Sequence, residues 1–506
     1  MAFIGSIMKT TIDTADLLSI DLKTNKEKQI KELKTLLDKA KDTSFGKFYS
    51  FESILKSESP EEEYRKRVPI FSYDKMAKEW WYQQQVYPDI TWPGKPQYFA
   101  RSSGTTGKDC KRIPVTEDYI SHVHSVGVSM IKTLSNFNFP SELYEKEVLM
   151  LSSSSNLSNN KKGFKEGEIS GINVNNFPDW YDVFYRPGKE IASINNWEER
   201  LKRIVKEAPS WDIGFIAGIP SWILEMLKAI IKKHQLKNIH EIWPNFQVYS
   251  SGGVAFETYR SAFEKLCGKP ITIMDTYLAS EGFLAYTARP GTMDMKLALQ
   301  HGVYFEFIPF DERGFDSTGN LLENPVTLTI DEIKEGEEYA LLISSCAGAW
   351  RYMIGDTIKF TNPEQAEIVL TGRTKFFLNV VGSQLSEEKL DNVILKLSKK
   401  YKIDVNEYIV GAIKRNNEYM HQWVLITDSK LDTHTWKKDV DKHLKLANKN
   451  YKVARTKALK DIDVKVISKK TYHNYLASEK KKGGQVKTPK VMPEEKLEAF
   501  LNFIEK

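Results

Sequence analysis

Cysteine is scarce in this 506-residue chain: Cys110, Cys267 and Cys346 lie far apart and form no CxxC pair. That spacing excludes a disulfide scaffold and a cysteine zinc site, and it suits a reducing cytosol. No run approaches the roughly 18 apolar residues that cross a bilayer. The opening MAFIGSIMKT has neither a basic lead nor a small-residue cleavage site, so a soluble, cytoplasmic protein without a secretory signal is expected. A Walker A spacing is missing too, as is any aromatic-interleaved RNA signature or recognition helix. Aromatics are plentiful at 12%, within a hydrophobic share of 41%. That is enough apolar surface for large cores, and the length calls for at least two of them.

Net charge is +6, which alone decides little. Residues 371–506 hold 29 Lys and Arg against 17 Asp and Glu, giving +12, while residues 1–370 hold 44 against 50, giving −6. The blocks Lys399–Lys400, Lys469–Lys470 and Lys480–Lys482 all fall in the basic part. A solvated lysine surface is the plain explanation, and a small basic domain closing over polyphosphate is the functional one. Nucleic acid is not expected as a partner, because no recognition motif accompanies the charge.

Along the chain, helical and extended patterns alternate. Residues 27–41 place Ile30, Leu33, Leu36, Leu37 and Ala40 at spacings of three and four, which predicts an amphipathic helix. Residues 220–233 open on Pro and repeat apolar residues at helical spacing. Residues 98–100, 246–249, 271–277, 303–308, 326–330, 339–344 and 357–360 read as extended. Residues 152–160, rich in Ser and Asn, read as a surface loop. The charge shift and Thr371-Gly372-Arg373-Thr374 suggest a domain boundary within 362–374.

The most informative local segment is Ser102-Ser103-Gly104-Thr105-Thr106-Gly107, with Lys108 and Lys111 behind it. Small residues let the backbone approach a ligand, glycine permits the turns that converge N–H groups on an anion, and lysine supplies charge for phosphate oxygens. Alone, such a segment could be an ordinary Ser/Gly turn. Three more segments follow in order. Asp275 to Gly282 sets Tyr277, Ser280 and Glu281 at a strand end, where an aromatic can stack on a purine and a carboxylate can hold Mg²⁺. Trp350 to Asp356 places an Asp after Gly, suited to ribose hydroxyls. Gly372-Arg373-Thr374-Lys375 is a candidate hinge with a basic arm. Singly, a strand-end Glu or Asp is more often a cap or a solvated residue; the shared order makes coincidence a poor account.

This order resembles the adenylate-forming superfamily of acyl-CoA ligases, luciferases and peptide-synthetase adenylation domains. More narrowly, the chain looks like a bacterial-type member of the auxin-responsive acyl-acid amido synthetase family. The narrower likeness rests on residues 99–107 and 111–116, on Gly218–Trp222, on Phe305–Pro309, on Trp350-Arg351-Tyr352 and on Gly483–Lys490. It covers about residues 27 to 493. The resemblance implies an α/β fold: a large N-terminal domain (1–370) of mixed β-sheets with helices and a β-barrel-like part, plus a small mobile C-terminal α/β domain (371–506).

By the same resemblance, ATP and Mg²⁺ are the expected cofactors. Ser102, Ser103, Gly104, Thr105, Thr106, Gly107 and Lys111 would cradle the phosphates. Ser251, Gly252, Gly253 and Tyr277 would line the adenine site, and Ser280 and Glu281 would serve phosphate and Mg²⁺. Asp356 would hold the ribose, and Arg373 lies at the hinge within reach of the nucleotide. Lys487, with Lys482 behind it, is the candidate lysine of the C-terminal domain. Trp222 and Ile223 are candidate acyl-pocket walls, although an apolar stripe at helical spacing is more often simple core. His124 and His301 are candidate general bases for an amine. Cys110 stands where Ser is usual and Ala349 where Leu is expected; neither position supplies a charge. The implied activity is activation of a carboxylic acid as acyl-AMP and transfer to an amine, an amino acid above all. Two alternatives stay open: an acyl-CoA or carrier-protein ligase using the same first step, and a non-catalytic binding protein.

Overall fold

The computed structural model describes residues 9–12, 14, 23–102, 111–316, 319–374, 385–415, 418–457, 459–479 and 488–505. The first long helix, Asn25–Ala40, starts where Thr24 accepts from the Glu27 N–H while the Glu27 side chain accepts from Thr24, a reciprocal cap. Its buried face carries Leu33, Leu36, Leu37 and Ala40, as the periodicity predicts. The helix Pro220–His234 also forms as expected, with Pro at its start and Lys232, Lys233 and His234 in its last turn.

Six strands fall between residues 98 and 186: β1 (Tyr98–Ser102), β2 (Lys111–Val115), β3 (Glu147–Met150), β4 (Ser158–Asn159), β5 (Lys165–Gly167) and β6 (Tyr185–Arg186). Then come β7 (Ile213–Gly218), β8 (Val248–Gly252), β9 (Thr272–Ala279), β10 (Gly282–Tyr286) and β11 (Met295–Leu297). The central part supplies β12 (Val303–Pro309), β13 (Glu338–Ser345), β14 (Ala349–Asn362) and β15 (Glu367–Arg373). The C-terminal part adds β16 (Glu407–Arg415), β17 (Glu418–Ile426) and β18 (Leu459–Ile467).

Eleven of these strands make one sheet in the order β12-β13-β14-β15-β11-β10-β9-β8-β7-β3-β6. From β9 to β6 neighbouring strands are parallel; from β9 to β12 they are antiparallel. Strands β2-β1-β5-β4 form a second sheet and β16-β17-β18 a third. The chain is thus mixed α/β, but the barrel-like part is a correction: among the described residues the large sheet is open, with no pairing between β12 and β6.

Two local expectations also change. Residues 326–330 are not a strand. Leu328 makes a single bridge to Phe307, and the Thr329 hydroxyl bonds Asp331 and Glu332, turning the chain instead. Residues 152–160 are not wholly a surface loop, because Ser152, Ser153 and Ser155 are buried. Their hydroxyls make this possible: Ser153 Oγ bonds Ser170 Oγ at 2.9 Å and accepts the Gly171 N–H at 3.0 Å.

Separate cores sit in the two parts of the chain. One packs the N-terminal helices on the antiparallel strands, another covers the parallel strands, and a third lies within residues 385–491. Thr371, where the charge shift puts the boundary, lies in β15. No helix among the described residues is long and apolar enough to cross a membrane.

Candidate active site

Strands β7, β8 and β9 run parallel, and their C-terminal ends are Gly218, Gly252 and Ala279. Open parallel sheets bind ligands beyond such ends. Ser251 pairs with Gly218 on one side and Asp275 on the other. The Thr276 hydroxyl donates to the Ser251 carbonyl at 2.8 Å, and a Cβ on Gly252 would come within 2.9 Å of that hydroxyl oxygen. Gly253 turns with φ 85°, a conformation that favours glycine. Ser251 Oγ and Asp275 Oδ1 are both buried. Burial pushes the Asp275 carboxyl up to about 7, Glu257 adds to the rise, and Ser251 and Arg260 oppose it.

Ser280 and Glu281 form the two-residue turn between β9 and β10, with Ala279 paired to Gly282. The helix Glu117–Lys132 supports this turn from behind. Tyr119 Oη donates to the Ala279 carbonyl at 3.3 Å, and the Phe283 N–H donates to His122 Nε2 at 3.1 Å. His122 is consequently neutral, held down to about 4 chiefly by burial. Glu281 itself is buried at 6% exposure. Its carboxyl rises above the usual range because burial outweighs the pull of Lys111; Asp356 adds to the rise.

Opposite stands β14, whose Asp356 pairs with Arg373 of β15. Tyr277 Oη donates to Asp356 Oδ2 at 2.6 Å and Arg373 Nε donates to Oδ1 at 2.6 Å. A carboxylate offers about four lone-pair sites, and one fixed in this way is the kind of acceptor a vicinal diol needs. β9 and β14 are four steps apart in the sheet order. Their contact therefore requires the sheet to curl, and the curl gathers Tyr277, Asp356 and Arg373 into one place.

Lys111 opens β2 directly across from Ser102 of β1, so the two described ends of the Ser/Gly segment face each other. Its ammonium lies 5.2 Å from the centre of the Tyr73 ring. Burial holds its pKa below the ordinary lysine value, with Glu281 and Asp356 opposing that fall and Arg373 adding to it. Lys111, Glu281, Asp356 and Arg373 thus share one electrostatic neighbourhood. Ser103, Gly104, Thr105, Thr106, Gly107, Lys482 and Lys487 lie outside the described residues. The segment around Lys490 runs along β16, where the Val410 N–H donates to the Lys490 carbonyl at 2.7 Å. Lys490 Nζ reaches Asp391 at 2.5 Å. Burial lowers its pKa, but Asp391 and Glu387 more than reverse that.

Trp222 and Ile223 are buried on the first turns of Pro220–His234, and the Trp222 ring meets Trp197 edge-on with centroids 4.9 Å apart. His301 Nε2 bonds Ser129 at 3.1 Å. Sequence reasoning overlooked Tyr73, which also accepts the Arg112 N–H at 2.9 Å; only an aromatic ahead of the Ser/Gly segment could have signalled it. It also left the Arg351 and Glu306 motif residues without a job. Arg351 Nε and Nη2 each lie 3.0 Å from a Glu306 oxygen, and Nη1 donates at 2.8 Å to the carbonyls of Arg65 and Val68. The pair ties β14 and β12 to the N-terminal helices. Among the described residues no group of three His, Cys, Asp or Glu is placed to hold a metal by itself.

Known proteins resemble the chain in sequence and in fold. Over 210 residues the chain is 23% identical to indole-3-acetic acid-amido synthetase GH3.2 of Arabidopsis thaliana, covering 40% of this chain and 36% of that one. It is 27% identical over 210 residues to jasmonoyl--L-amino acid synthetase GH3.5 of Oryza sativa subsp. japonica, covering 38% and 36%. The matched stretch thus spans about a third of the length of these curated relatives. The solved structure of GH3.15 acyl acid amido synthetase superposes with a TM-score of 0.78 over 98% of this chain and 96% of that one, at 14% identity, and so shares the fold. Residues 19–205 match the GH3 family N-terminal domain, residues 296–371 the GH3 family central domain and residues 388–496 the GH3 family C-terminal domain. With all three domains matched in order along its length, the chain belongs to the GH3 family.

Proposed function

We propose that the chain uses ATP to activate a carboxylic acid as its acyl-AMP and passes the acyl group to the amine of an amino acid, forming an amide. The observation that carries this reading is the constellation at the ends of β8 and β9. Asp356 is bracketed by Tyr277 and Arg373, with the half-buried Lys111 and the buried Glu281 in the same electrostatic neighbourhood. The reading also takes support from the relatives, whose names describe conjugation of an acid to an amino acid.

In the first step an oxygen of the acid attacks the α-phosphorus in line, and the bond to the pyrophosphate oxygen breaks. Negative charge builds on the transferring and departing phosphate oxygens. Lys111 and the N–H groups of residues 102–107 are assigned to meet it where it grows. Asp356 accepts the ribose hydroxyls, while Ser251, Gly252, Gly253 and Tyr277 border the base. Ser280 faces the phosphates. Mg²⁺ takes oxygen donors, commonly one or two carboxylates together with phosphate oxygens. Glu281, a single buried carboxylate beside an ammonium, fits that role, and the ion would supply Lewis-acid stabilisation there. In the second step the amine nitrogen attacks the acyl carbon and AMP leaves. Positioning is the main contribution, since the mixed anhydride is already reactive. Trp222 and Ile223 are assigned to the acyl pocket.

Residues 371–506 are assigned as a mobile lid that brings Lys487 to the acyl phosphate. Of the contacts between this part and the large one, the ion pairs Lys265 with Asp404 at 2.7 Å and Lys359 with Glu388 at 3.2 Å are partly exposed and of a kind that breaks cheaply, while the buried Tyr259 donates its hydroxyl to Glu407 at 3.3 Å. A cytoplasmic setting, where ATP and free amino acids are abundant, suits the reaction.

A pyrophosphate-release screen of carboxylic acids crossed with amino acids tests the proposal. Acid-dependent release with an amide product is expected. Thioester formation with a thiol, and no amide with any amino acid, would replace it with the acyl-CoA ligase alternative. Glu281→Ala is expected to abolish activation with the fold retained; wild-type turnover in that variant removes Glu281 from the metal role.

A further inference from the structure

Arg200 is 2% exposed, on the buried face of the helix Trp197–Glu207, which is capped by Asn196. Its guanidinium stacks against the Trp197 ring at 5.2 Å, and among the described residues its one hydrogen bond is a long 3.5 Å contact from Nη1 to the Ala192 carbonyl. Nε is buried and unpartnered. Among the described residues no carboxylate pairs with it; Glu168 acts only at longer range. The contrast with Arg351, equally buried, is sharp: that guanidinium has Glu306 and two carbonyls. A buried cation without a counter-ion is costly to keep and is normally paired.

The groups around Arg200 are suited to an anion. Tyr185 is 1% exposed, its Oη has no hydrogen-bond partner among the described residues other than the neighbouring Ser152, and it lies within the electrostatic reach of Arg200. Ser152, also buried, sits beside that phenol and donates its hydroxyl to the Ser153 carbonyl at 2.9 Å. Burial lowers the Arg200 pKa, with Tyr185 opposing, yet an arginine keeps its charge throughout the physiological range. On the other side, Trp197 meets Trp222 edge-on, and Trp222 with Ile223 follows Gly218, the residue paired with Ser251 at the nucleotide end of the sheet. Side-chain contacts therefore run from Gly218 by way of Ile223, next to Trp222, and Trp197 to the Arg200 guanidinium.

We infer that Arg200, with Tyr185 and Ser152, is the receptor for a second acidic group at the far end of the acyl substrate, so that the preferred acid is a dicarboxylate with an apolar stem. A carboxylate matches the planar fork of a guanidinium and satisfies both the orphaned Nε and the Tyr185 hydroxyl. This rests on the acid-activating reading above and on the assignment of Trp222 and Ile223 to the acyl pocket.

The test measures pyrophosphate release by the full chain with straight-chain monoacids and with α,ω-diacids of matching lengths. For one length the diacid is expected to exceed its monoacid in kcat/KM by about tenfold or more, and Arg200→Met is expected to collapse that ratio towards one. A wild-type protein that prefers no diacid at any length overturns the inference. So does a ratio unchanged in Arg200→Met, or a loss confined to the KM of the amino acid. If Arg200→Met does not fold, the wild-type ranking alone decides in the same two ways. Activation of monoacids without a diacid preference sinks this inference and leaves acid activation standing, whereas release with no acid at all sinks both.

Discussion

Tyr277 and Asp356, 79 positions apart in sequence, meet through a 2.6 Å hydrogen bond between phenol and carboxylate. The same carboxylate takes Arg373 on its other oxygen. Burial and proximity to Asp356 raise the Tyr277 phenol well above its ordinary value, so it remains a donor at any working pH. A carboxylate held by two fixed donors has little freedom to rotate, so its orientation towards a ligand is set.

Asp356→Asn tests this preorganisation. The amide keeps the shape but loses the charge that Arg373 and two hydroxyl donors require. Losing charged hydrogen bonds of this kind costs about 1.5–3 kcal/mol, so KM for ATP should rise about ten- to hundredfold. Steady-state kinetics with varied ATP measures it, and an unchanged KM would detach Asp356 from nucleotide binding.

Lys111 gives a prediction in pH. Its folded pKa lies below the ordinary 10.5 because of burial. As pH rises through that lowered value the ammonium deprotonates and activity should fall, at a lower pH than an exposed lysine would dictate. Arginine stays charged, so Lys111→Arg should move any alkaline limb upward or remove it. A pH profile of kcat/KM with the limb unmoved would assign the titration elsewhere.

Breaking the Arg351–Glu306 pair should be felt in stability. Both side chains are buried, at 5% and 1% exposure. Removing one partner strands the other, at a cost of about 3–5 kcal/mol, so Glu306→Gln should lower the denaturation midpoint strongly. Replacing both residues with apolar ones of similar volume should restore much of the loss. Equilibrium denaturation of the two variants separates these outcomes.

Asp275 makes stability depend on pH in the opposite sense from a salt-bridged carboxylate. Its folded pKa is raised to about 7 from 3.8. Between these values the folded chain keeps a proton that the unfolded chain has released. Stability therefore declines as pH rises through this window and levels off above it. Asp275→Asn should flatten that slope and stabilise the protein at alkaline pH. Thermal melts of both proteins from acid to alkaline pH check it.

Local structure was largely legible. The Pro220–His234 helix announces itself by its proline start, its apolar spacing and its basic end. The ends of β8 and β9 were marked by Ser251-Gly252-Gly253 and by Ser280-Glu281. What escaped the sequence depends on long-range geometry or on side chains competing with the backbone. Residues 326–330 have the composition of a strand, but the Thr329 hydroxyl captures Asp331 and Glu332 and turns the chain. Ser152 to Ser155 look like a solvated loop, yet Ser170 and Gly171 give Ser153 its partners and allow burial. The open sheet where a barrel-like part was expected follows from strand pairing, which no local pattern reveals. Arg200 gave no signal at all, because an arginine that follows two glutamates on a helix reads as surface.

The curl of the large sheet has a mechanical consequence. Laid flat, four inter-strand steps of about 4.8 Å would hold β9 and β14 about 19 Å apart. The Tyr277–Asp356 bond closes that arc like the clasp of a hoop. A nucleotide gripping both residues would tighten the clasp and resist peeling of the strands between them. Bound ATP should therefore slow hydrogen exchange in β10, β11 and β15, including backbone groups that it never touches.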